Sequence, residues 1–329
     1  MKTTLRVQNL TVRFRTRAGG LTAVDDVSLD VRAGEVLGVV GESGCGKSVT
    51  ARAIMRLLDT EDTAQVSGNI WWNNRDVCRL TEREMEQLRG NELAMVFQDP
   101  MTTLNPVMPV GDQVVEGVAY RQRLRRAAAR TKGVYWLETV GLPAATRRAG
   151  QYPHQFSGGM RQRAVLAAAL CAQPKLLIAD EPTTALDVTV QTQILDRMAA
   201  YRRETGAAML LITHDLGVVA GWCDRVAVMY AGTIVEEGAV DDVLAHPQHP
   251  YTAGLLASLP RPGRRERLQP IAGRPPDLHR IPAGCPFAPR CPKAQDRCSS
   301  RPDLMATVHA GQRVACWFPA APFPEDAVP

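Results

Sequence analysis

A glycine-rich loop close to the N-terminus constrains the fold of this chain more than any other feature of the sequence. Residues 41–48 read Gly-Glu-Ser-Gly-Cys-Gly-Lys-Ser and fit the phosphate-binding pattern G-x-x-x-x-G-K-[ST] at every fixed position. The apolar run 36–40 predicts a buried strand before the loop, and the run 49–55 predicts a helix after it. This order of strand, loop and helix turns backbone N–H groups toward a polyphosphate at the N-terminus of the helix.

The residue types within this loop predict how it would hold the phosphates. Its glycines let the backbone approach the phosphates without Cβ clashes. We expect Lys47 to neutralise the β- and γ-phosphates and the Ser48 hydroxyl to bind Mg²⁺. The predicted nucleotide contacts from this segment are Gly41, Glu42, Ser43, Gly44, Cys45, Gly46, Lys47, Ser48 and Val49.

Composition and charge restrict the classes of protein to which the chain can belong. The chain has 329 residues, of which 45% are hydrophobic and 22% charged, as in ordinary globular proteins. No apolar stretch reaches the roughly 18 residues that a membrane span needs, and the N-terminus lacks the apolar region of a secretory signal. We therefore expect a cytosolic protein whose eight cysteines are thiols or metal ligands rather than disulfides. The net charge of +5 is small for a protein that binds nucleic acid.

The order of sequence patterns predicts an α/β protein with additions. Residues 4–40 alternate short apolar runs with turns and predict antiparallel strands. Residues from about 105 to 155 are rich in helix formers and arginine, which predicts a helical insertion. Strands alternating with helices from 164 to 235, including a hairpin at Ala231-Gly232, predict a mostly parallel sheet covered on both faces. Twelve prolines between residues 247 and 302 predict a tail with little regular structure that something other than a large core must order.

Two adjacent carboxylates follow an apolar strand in the second half of the chain. Asp180 and Glu181 end the run that begins at Lys175. Their side chains point in different directions, so the two residues can have different functions. We expect Asp180 to position Mg²⁺ and Glu181 to polarise the attacking water, the alternative being a polar strand end without chemistry.

A second motif precedes this strand. Residues 157–162 read Ser-Gly-Gly-Met-Arg-Gln. Ser157 is a good helix N-cap, and the two glycines leave backbone N–H groups accessible to an anion. As an isolated pattern it is also an ordinary helix start.

Taken together and in this order, the motifs resemble those of the ATP-binding cassette (ABC) family of transport ATPases. The resemblance covers residues 1 to about 245. It implies a RecA-like P-loop NTPase core with an antiparallel β subdomain and a helical subdomain at about 100–157. It also implies that nucleotide is held between two cassettes, each of which completes the site of the other. The residues acting on the partner's nucleotide would be Ser157, Gly158, Gly159, Gln162 and Asp187.

The same resemblance implies further roles for single residues. Gln98 would contact Mg²⁺ and the water while sensing a membrane subunit, and His214 would reach the γ-phosphate. Asp187 would organise the contact between cassettes, and Phe14 would stack on adenine. The alternatives are a polar strand-end residue for Gln98, a structural histidine for His214, a helix N-cap for Asp187 and a core aromatic for Phe14.

The proline-rich tail, residues 246–329, contains four cysteines spaced C-x5-C-x6-C-x17-C: Cys285, Cys291, Cys298 and Cys316. Four thiolates are a complete ligand set for Zn²⁺ or an iron–sulfur cluster. The tail resembles the C-terminal extension of the dipeptide/oligopeptide branch of the family, which also matches the segment 249–252. That resemblance implies a [4Fe–4S] cluster, with zinc and free structural cysteines as alternatives. Cys45, in the phosphate loop, is either a redox switch or a small residue that fits there.

The resemblance implies a function as the ATP-hydrolysing subunit of a bacterial di- or oligopeptide importer. The expected partners are two membrane-spanning permease subunits, a second ABC ATPase subunit and an extracytoplasmic substrate-binding protein, without nucleic acid. The expected location is the cytoplasmic face of the inner membrane. Three alternatives stay open: nickel or another small solute as cargo, a soluble cassette ATPase acting on nucleic acid or ribosomes, and an iron–sulfur redox protein.

Overall fold

The computed structural model describes residues 3–17, 19–59, 62–184, 186–259, 270–307 and 311–319. The chain divides into two compact units. We call residues 1–4, 31–35 and 79–212 the helical unit. Residues 5–30, 36–78 and 213–329 form the other unit, which we call the loop unit because it contains the phosphate loop.

The strands of the described chain, in order, are β1 (Thr3–Thr16), β2 (Gly19–Arg32), β3 (Val36–Val40), β4 (Ala64–Trp72), β5 (Arg75–Asp76), β6 (Leu93–Val96), β7 (Leu176–Asp180), β8 (Ala208–Thr213), β9 (Arg225–Tyr230), β10 (Thr233–Ala239), β11 (Met305–Ala306) and β12 (Arg313–Val314).

The α-helices are α1 (Lys47–Ile54), α2 (Glu82–Asn91), α3 (Pro100–Thr103), α4 (Val110–Gln122), α5 (Arg126–Thr139), α6 (Ala145–Arg148), α7 (Gly158–Cys171), α8 (Val188–Thr205), α9 (Leu216–Trp222), α10 (Val240–Ala245) and α11 (Pro250–Ala257). Short 3₁₀ turns cover Val77–Arg79, Pro153–Gln155, Ala288–Arg290 and Asp296–Ser299.

The loop unit contains most of a twisted sheet with the strand order β2-β1-β4-β5. Strand β1 pairs antiparallel with β4, and the register shifts between Gln8 and Thr11. At this shift Asn9 has a φ of 50°, and a Cβ on the facing Gly68 would contact the Asn9 carbonyl group. Such a bulge bends a strand locally, and the glycine gives the bulged backbone room. The prediction of antiparallel strands at the N-terminus is confirmed.

A second set of strands in the loop unit runs in the order β11-β12-β10-β9-β3. Strands β3 and β9 are parallel, whereas β9, β10, β12 and β11 pair antiparallel in succession. The β9–β10 hairpin turns at Ala231 and Gly232, both with positive φ, which matches the twist of the flanking strands. The predicted hairpin is therefore confirmed, and the expected mostly parallel arrangement is corrected to a mixed one.

The helical unit combines parallel strands with a group of helices. Strands β6, β7 and β8 are parallel neighbours and are entirely buried. Helix α4 packs against α5 and α7. A Cβ on Gly133 of α5 would lie 2.7 Å from the carbonyl oxygen of Gly111 in α4, so glycine allows these two helices to approach closely. The predicted helical insertion is thus present as helices α4 to α6.

Within the loop unit, the described part of the proline-rich tail packs against strand β9. As predicted, regular structure in its described part is limited to α11, two short 3₁₀ turns and two-residue strands. The sequence predicts that something other than a large core orders the tail, whereas in the structure part of the tail shares a core with β9. The ring of Tyr251 lies 4.6 Å from that of Tyr230 in β9 and 5.4 Å from that of Phe287, measured between centroids. All three side chains are at most 1% exposed, so apolar burial shared with β9 stabilises the tail.

A buried carboxylate fixes the tail at a second place. Glu236 of β10 is 0% exposed and accepts hydrogen bonds from the backbone N–H groups of Gln248 (2.7 Å) and His249 (2.9 Å). The side-chain amide of Gln312 donates a third bond to it over 2.6 Å. Burial raises the pKa of Glu236, while these donors favour its charged form. The predicted boundary at residue 245 stays a prediction, since the tail belongs to the same compact unit as the phosphate loop.

Candidate functional site

The phosphate loop joins the buried strand β3 to helix α1, as its sequence predicted. Its glycines occupy positions that no other residue could take without strain. A Cβ on Gly41 would overlap the carbonyl oxygen of Met229, and one on Gly46 would overlap that of Ala23. Gly46 also has a φ of 105° where it caps α1. The backbone of the loop therefore lies close to β9 and β2, and contact with these strands restricts the conformation of the loop.

The Lys47 side chain folds back over the phosphate loop toward its first two residues. Its side chain is buried, and its ammonium donates to the carbonyl oxygens of Gly41 (2.7 Å) and Glu42 (3.0 Å). These two bonds hold a positive charge inside the loop, beside the first turn of α1. An anion that approached the N-terminus of α1 would meet both this charge and the backbone N–H groups there.

Cys45 is buried in the same loop, with its sulfur 3.7 Å from the Lys47 ammonium. Burial raises the pKa of this thiol despite the neighbouring positive charge, so the thiol stays protonated at neutral pH. Reactive cysteines are exposed and have a lowered pKa. The structure therefore favours the interpretation of Cys45 as a small residue that fits the loop over that of a redox switch.

In the helical unit, the structure brings Gln98 and Glu181 together although 83 positions separate them. The Gln98 amide donates to the Glu181 carboxylate over 3.2 Å, and the Thr184 hydroxyl donates to the same oxygen over 2.8 Å. Glu181 has a φ of 46°, a conformation that non-glycine residues rarely adopt. Its backbone N–H donates to Ile212 of β8 over 2.9 Å, which helps to hold this conformation. Asp180, the last residue of β7, is 4% exposed.

Ser157 and Asp187 begin helices α7 and α8, as the simpler interpretation of each predicted. The Ser157 hydroxyl accepts from the backbone N–H of Met160 over 3.4 Å. The Asp187 carboxylate accepts from the backbone N–H of Val190 over 2.9 Å. A Cβ on Gly159 would lie 2.9 Å from the Val190 side chain, so the two helix starts pack together. Gly158 is exposed beside them.

Gln162 lies in the same helix, but it is only 3% exposed. Its side-chain nitrogen is buried within the described chain without a hydrogen-bond partner there. The predicted contact of Gln162 with a nucleotide held by a second subunit stays a prediction.

The remaining predicted residues lie in the loop unit. His214 directly follows β8 and is exposed, and Phe14 is half-buried in β1, where it pairs with Ala64. Neither position excludes the role that the family resemblance implies, and both roles stay predictions.

The four tail cysteines line one small pocket together with His249, Phe287 and Trp317. Within the residues that the structure describes, no three side chains of the types that bind metals converge as ligands of a single ion. Burial raises the pKa of Cys285 and Cys291, and that of Cys316 to about 11, so these thiols are protonated in the absence of a metal. The backbone N–H groups of Lys293 and Phe318 each approach a cysteine sulfur at 3.4 Å.

Sequence reasoning missed one set of residues at the phosphate loop. Arg290 and Tyr251, both from the tail, contact Glu42 of the loop. Nothing in the local sequence indicates this contact, because Arg290 lies 248 positions from Glu42. The one available signal was the resemblance of segment 249–252, which contains Tyr251, to the dipeptide/oligopeptide branch of the family.

Comparison with known proteins decides the family. A model described as "ABC transporter" matches residues 24–184, and one described as "Oligopeptide/dipeptide transporter, C-terminal region" matches residues 235–298. The chain is 50% identical over 319 residues to the dipeptide transport ATP-binding protein DppD of Bacillus subtilis, covering 97% of this chain and 95% of that protein. It is 49% identical over 316 residues to the oligopeptide transport ATP-binding protein OppD of Salmonella typhimurium, covering 96% and 93%. The chain is a member of the ABC transporter ATPase family.

A solved ABC cassette has the same fold. The dimeric structure of MJ0796, a bacterial ABC transporter cassette, superposes with a TM-score of 0.65 at 26% identity and covers 72% of this chain. A post-hydrolysis dimer of that cassette, bound to ADP and Pi, superposes equally well. The predicted α/β fold with a P-loop NTPase core is confirmed. As an ABC ATPase, the chain belongs to a family that hydrolyses ATP.

The ABC ATPase has no helix within its described residues that is both long and apolar enough to cross a membrane.

Proposed function

We propose that this ABC ATPase is the ATP-hydrolysing subunit of an importer of di- or oligopeptides. The observation that carries the proposal is the similarity at about half of all positions, over nearly the whole chain, to proteins named as dipeptide and oligopeptide transport ATP-binding proteins. The match of residues 235–298 to the C-terminal region of oligopeptide/dipeptide transporters supports it independently of the cassette.

Nucleotide binding is assigned to the phosphate loop. In this proposal the Lys47 ammonium exchanges its bonds to the loop carbonyls for the β- and γ-phosphates. Ser48, Asp180 and Gln98 would hold Mg²⁺, because Mg²⁺ prefers oxygen ligands and these side chains supply hydroxyl, carboxylate and amide oxygens. Phe14 stacks on the adenine. Mg²⁺ neutralises charge on the transferred phosphoryl group when it is bound.

Hydrolysis is assigned to Glu181 as the general base. A base must be fixed within hydrogen-bond reach of the water that it polarises. The two donors to its carboxylate, Gln98 and Thr184, fix the orientation of this side chain. His214 would act at the γ-phosphate.

Two cassettes would hold the nucleotide between them, the second being an identical copy or a related chain. The start of α7 supports this proposal, because Ser157 caps a 14-residue helix and the adjacent Gly158 is exposed. A helix N-terminus attracts anions by about 0.3–1 kcal/mol when exposed, and by up to about 2 kcal/mol when partly buried. Closure of the two cassettes would then depend on an intact γ-phosphate, and loss of the γ-phosphate would favour their separation. Gly159 and Asp187 would shape the same surface.

The membrane partners would dock on the segment from Gln98 to Pro106 and the adjoining helices. Exposed apolar side chains lie within this segment and directly beside both of its ends: Met101 is 61% exposed, and the flanking Phe97 and Val107 are 38% and 81% exposed. Apolar side chains exposed in this density are typical of a surface that another protein covers. We infer two permease subunits, an extracytoplasmic binding protein and a peripheral location on the cytoplasmic face of the membrane.

We further propose that the four tail cysteines hold a [4Fe–4S] cluster, with Zn²⁺ as the alternative. Their lining of a single pocket supports a shared ligand. Backbone N–H groups near two of the sulfurs would stabilise thiolate ligands. A cluster there would order the tail.

Peptide transport is tested by uptake in cells that lack this gene. We expect the loss of labelled dipeptide and oligopeptide uptake, and its return with the native chain but not with Lys47→Ala. Nickel uptake measured in the same strains separates the two cargo classes. Normal peptide uptake together with lost nickel uptake would overturn the peptide assignment.

A further inference from the structure

The tail reaches the phosphate loop through a two-point ion pair. Arg290 donates to both carboxylate oxygens of Glu42, with Nη1–Oε2 at 2.8 Å and Nη2–Oε1 at 3.1 Å. The Arg290 side chain is 6% exposed and that of Glu42 is 24% exposed. A planar guanidinium that meets a carboxylate at two points fixes the direction of the carboxylate as well as its distance.

Arg290 is itself held in place before it reaches Glu42. Its Nε donates to the carbonyl oxygen of Ala272 over 2.9 Å, and its Nη1 lies 3.3 Å from the Tyr230 hydroxyl. The guanidinium carbon lies 5.8 Å from the centre of the Tyr230 ring and 6.0 Å from that of Phe287. These contacts lower the entropic cost of placing the charge at the loop, because the side chain is already ordered.

The tail also contacts the backbone of Glu42. The Glu42 N–H donates to the hydroxyl of Tyr251 over 2.9 Å, and Tyr251 is 0% exposed. The backbone donor and the side-chain acceptor of one loop residue are therefore both bound to the tail. The same residue's carbonyl oxygen accepts from Lys47.

Glu42 poses an electrostatic difficulty for a loop that binds phosphates. A carboxylate in the second position of the loop would repel a nucleoside triphosphate, whose phosphates are themselves negative. A guanidinium paired with that carboxylate cancels the charge and holds the group on the tail side of the loop. The loop then presents Lys47 and its backbone N–H groups without an opposing negative charge.

We propose that Arg290 is a positioning residue for nucleotide binding: by neutralising and holding Glu42, it makes the phosphate loop able to accept a nucleoside triphosphate. The inference rests on the proposed binding of ATP at this loop. Its consequence is that the tail contributes directly to ATP affinity. Since Arg290 ends the 3₁₀ turn immediately before Cys291, the same turn connects the thiol pocket to the loop.

The test compares Arg290→Ala, Glu42→Gln and the double variant in the full-length chain. Binding of a fluorescent ATP analogue is measured with Mg²⁺, and kcat and KM for ATP are measured in parallel. We expect Arg290→Ala to raise Kd and KM by roughly fivefold, the order expected for one partly screened charge, with little change in kcat. Glu42→Gln should tighten binding, and the double variant should return close to the native affinity.

A purely structural role for Arg290 makes different predictions. If Arg290 only packs the tail, removing the Glu42 charge would not restore affinity in the double variant, and that result would overturn the proposal. An electrostatic role also predicts that the difference between the native chain and Arg290→Ala shrinks as salt rises, because the screening length falls from about 10 Å at 0.1 M to about 3 Å at 1 M. A difference that does not change with salt would equally contradict it.

Arg313 provides a matched control. It is also a tail arginine paired with a glutamate of the loop unit, since its Nη2 lies 2.6 Å from the Glu237 carboxylate, yet it does not contact the phosphate loop. We expect Arg313→Ala to leave ATP affinity unchanged. Should Arg290→Ala fail to fold in a thermal melt, Glu42→Gln alone still decides, because weaker binding in that variant would refute the proposal. Absence of binding in the native chain would instead refute the assignment of ATP to this loop.

Discussion

At the scale of single residues, Glu181, the proposed general base, has a strained backbone conformation. Its φ of 46° costs of the order of 1–3 kcal/mol for a non-glycine residue and persists only where the surroundings impose it. Here the backbone bond to β8 and the two side-chain donors impose it. Strain that is retained at the end of a buried strand supports a functional reason for the position of the carboxylate.

Glu181→Gln tests this assignment. The amide keeps the shape of the side chain but cannot accept a proton, so hydrolysis should fall by about 10²–10⁴-fold while ATP binding persists. Phosphate release and nucleotide binding are measured on the same preparation. Glu204→Gln, a change in the last turn of α8 outside the proposed site, is the control and should hydrolyse ATP normally. Normal turnover in Glu181→Gln would contradict the assignment of the base.

At the scale of secondary-structure elements, the start of α11 carries a pH-sensitive cap. The Nδ1 atom of His249 accepts from the backbone N–H of Tyr251 over 3.0 Å, and burial lowers the pKa of His249 to about 3. In the unfolded chain this pKa is near 6.5. The folded state therefore binds fewer protons between these values, and the contribution of His249 to stability is lost as pH falls below about 6.5.

His249→Asn should remove that dependence. Asparagine can cap the helix through its side-chain oxygen but does not titrate, so the decline of unfolding free energy below pH 6.5 should become shallower by up to about 1.4 kcal/mol per pH unit. Urea unfolding from pH 7 to pH 5 measures the slope. Glu236 contacts the same segment, and its raised pKa changes stability with pH in the opposite direction. This effect is present in both the native chain and the variant. The difference between the two slopes therefore isolates His249, and equal slopes would contradict its role.

At the scale of the whole molecule, the tail and the cassette segment that carries the phosphate loop form one compact unit. Aromatic packing, a buried glutamate and the Arg290 pair join them. A ligand held by the four cysteines would thus stabilise the same unit that contains the phosphate loop. The metal content of the tail can therefore be measured on the purified full-length ATPase.

Cys291→Ser tests the ligand of the thiol pocket. If a [4Fe–4S] cluster is bound, protein purified without oxygen should be brown, and the variant should lose both the colour and most of its iron and sulfide. Cys78→Ser is the matched control, since Cys78 is an exposed cysteine outside the pocket. Elemental analysis showing zinc in place of iron supports the alternative ligand, whereas native protein without bound metal would refute a metal site in the tail.

Several features of the fold and the candidate site could be predicted from short stretches of the sequence. The phosphate loop, the helix caps at Ser157 and Asp187, and the hairpin at Ala231-Gly232 each depend on residues close together in the chain. Their backbone conformations follow from glycine geometry and from side chains that bond neighbouring N–H groups. The order of such local motifs was sufficient to indicate the family, which the comparisons with known proteins then confirmed.

Contacts between distant parts of the chain could not be predicted in this way. The sequence by itself determined that a loop of this kind exists, because its conformation is encoded within eight consecutive residues. Only the tertiary structure decided that Gln98 meets Glu181, that Gln162 and Cys45 are buried, and that Arg290 pairs with Glu42. Burial and long-range pairing arise when apolar faces pack, and packing brings side chains together regardless of their separation in sequence.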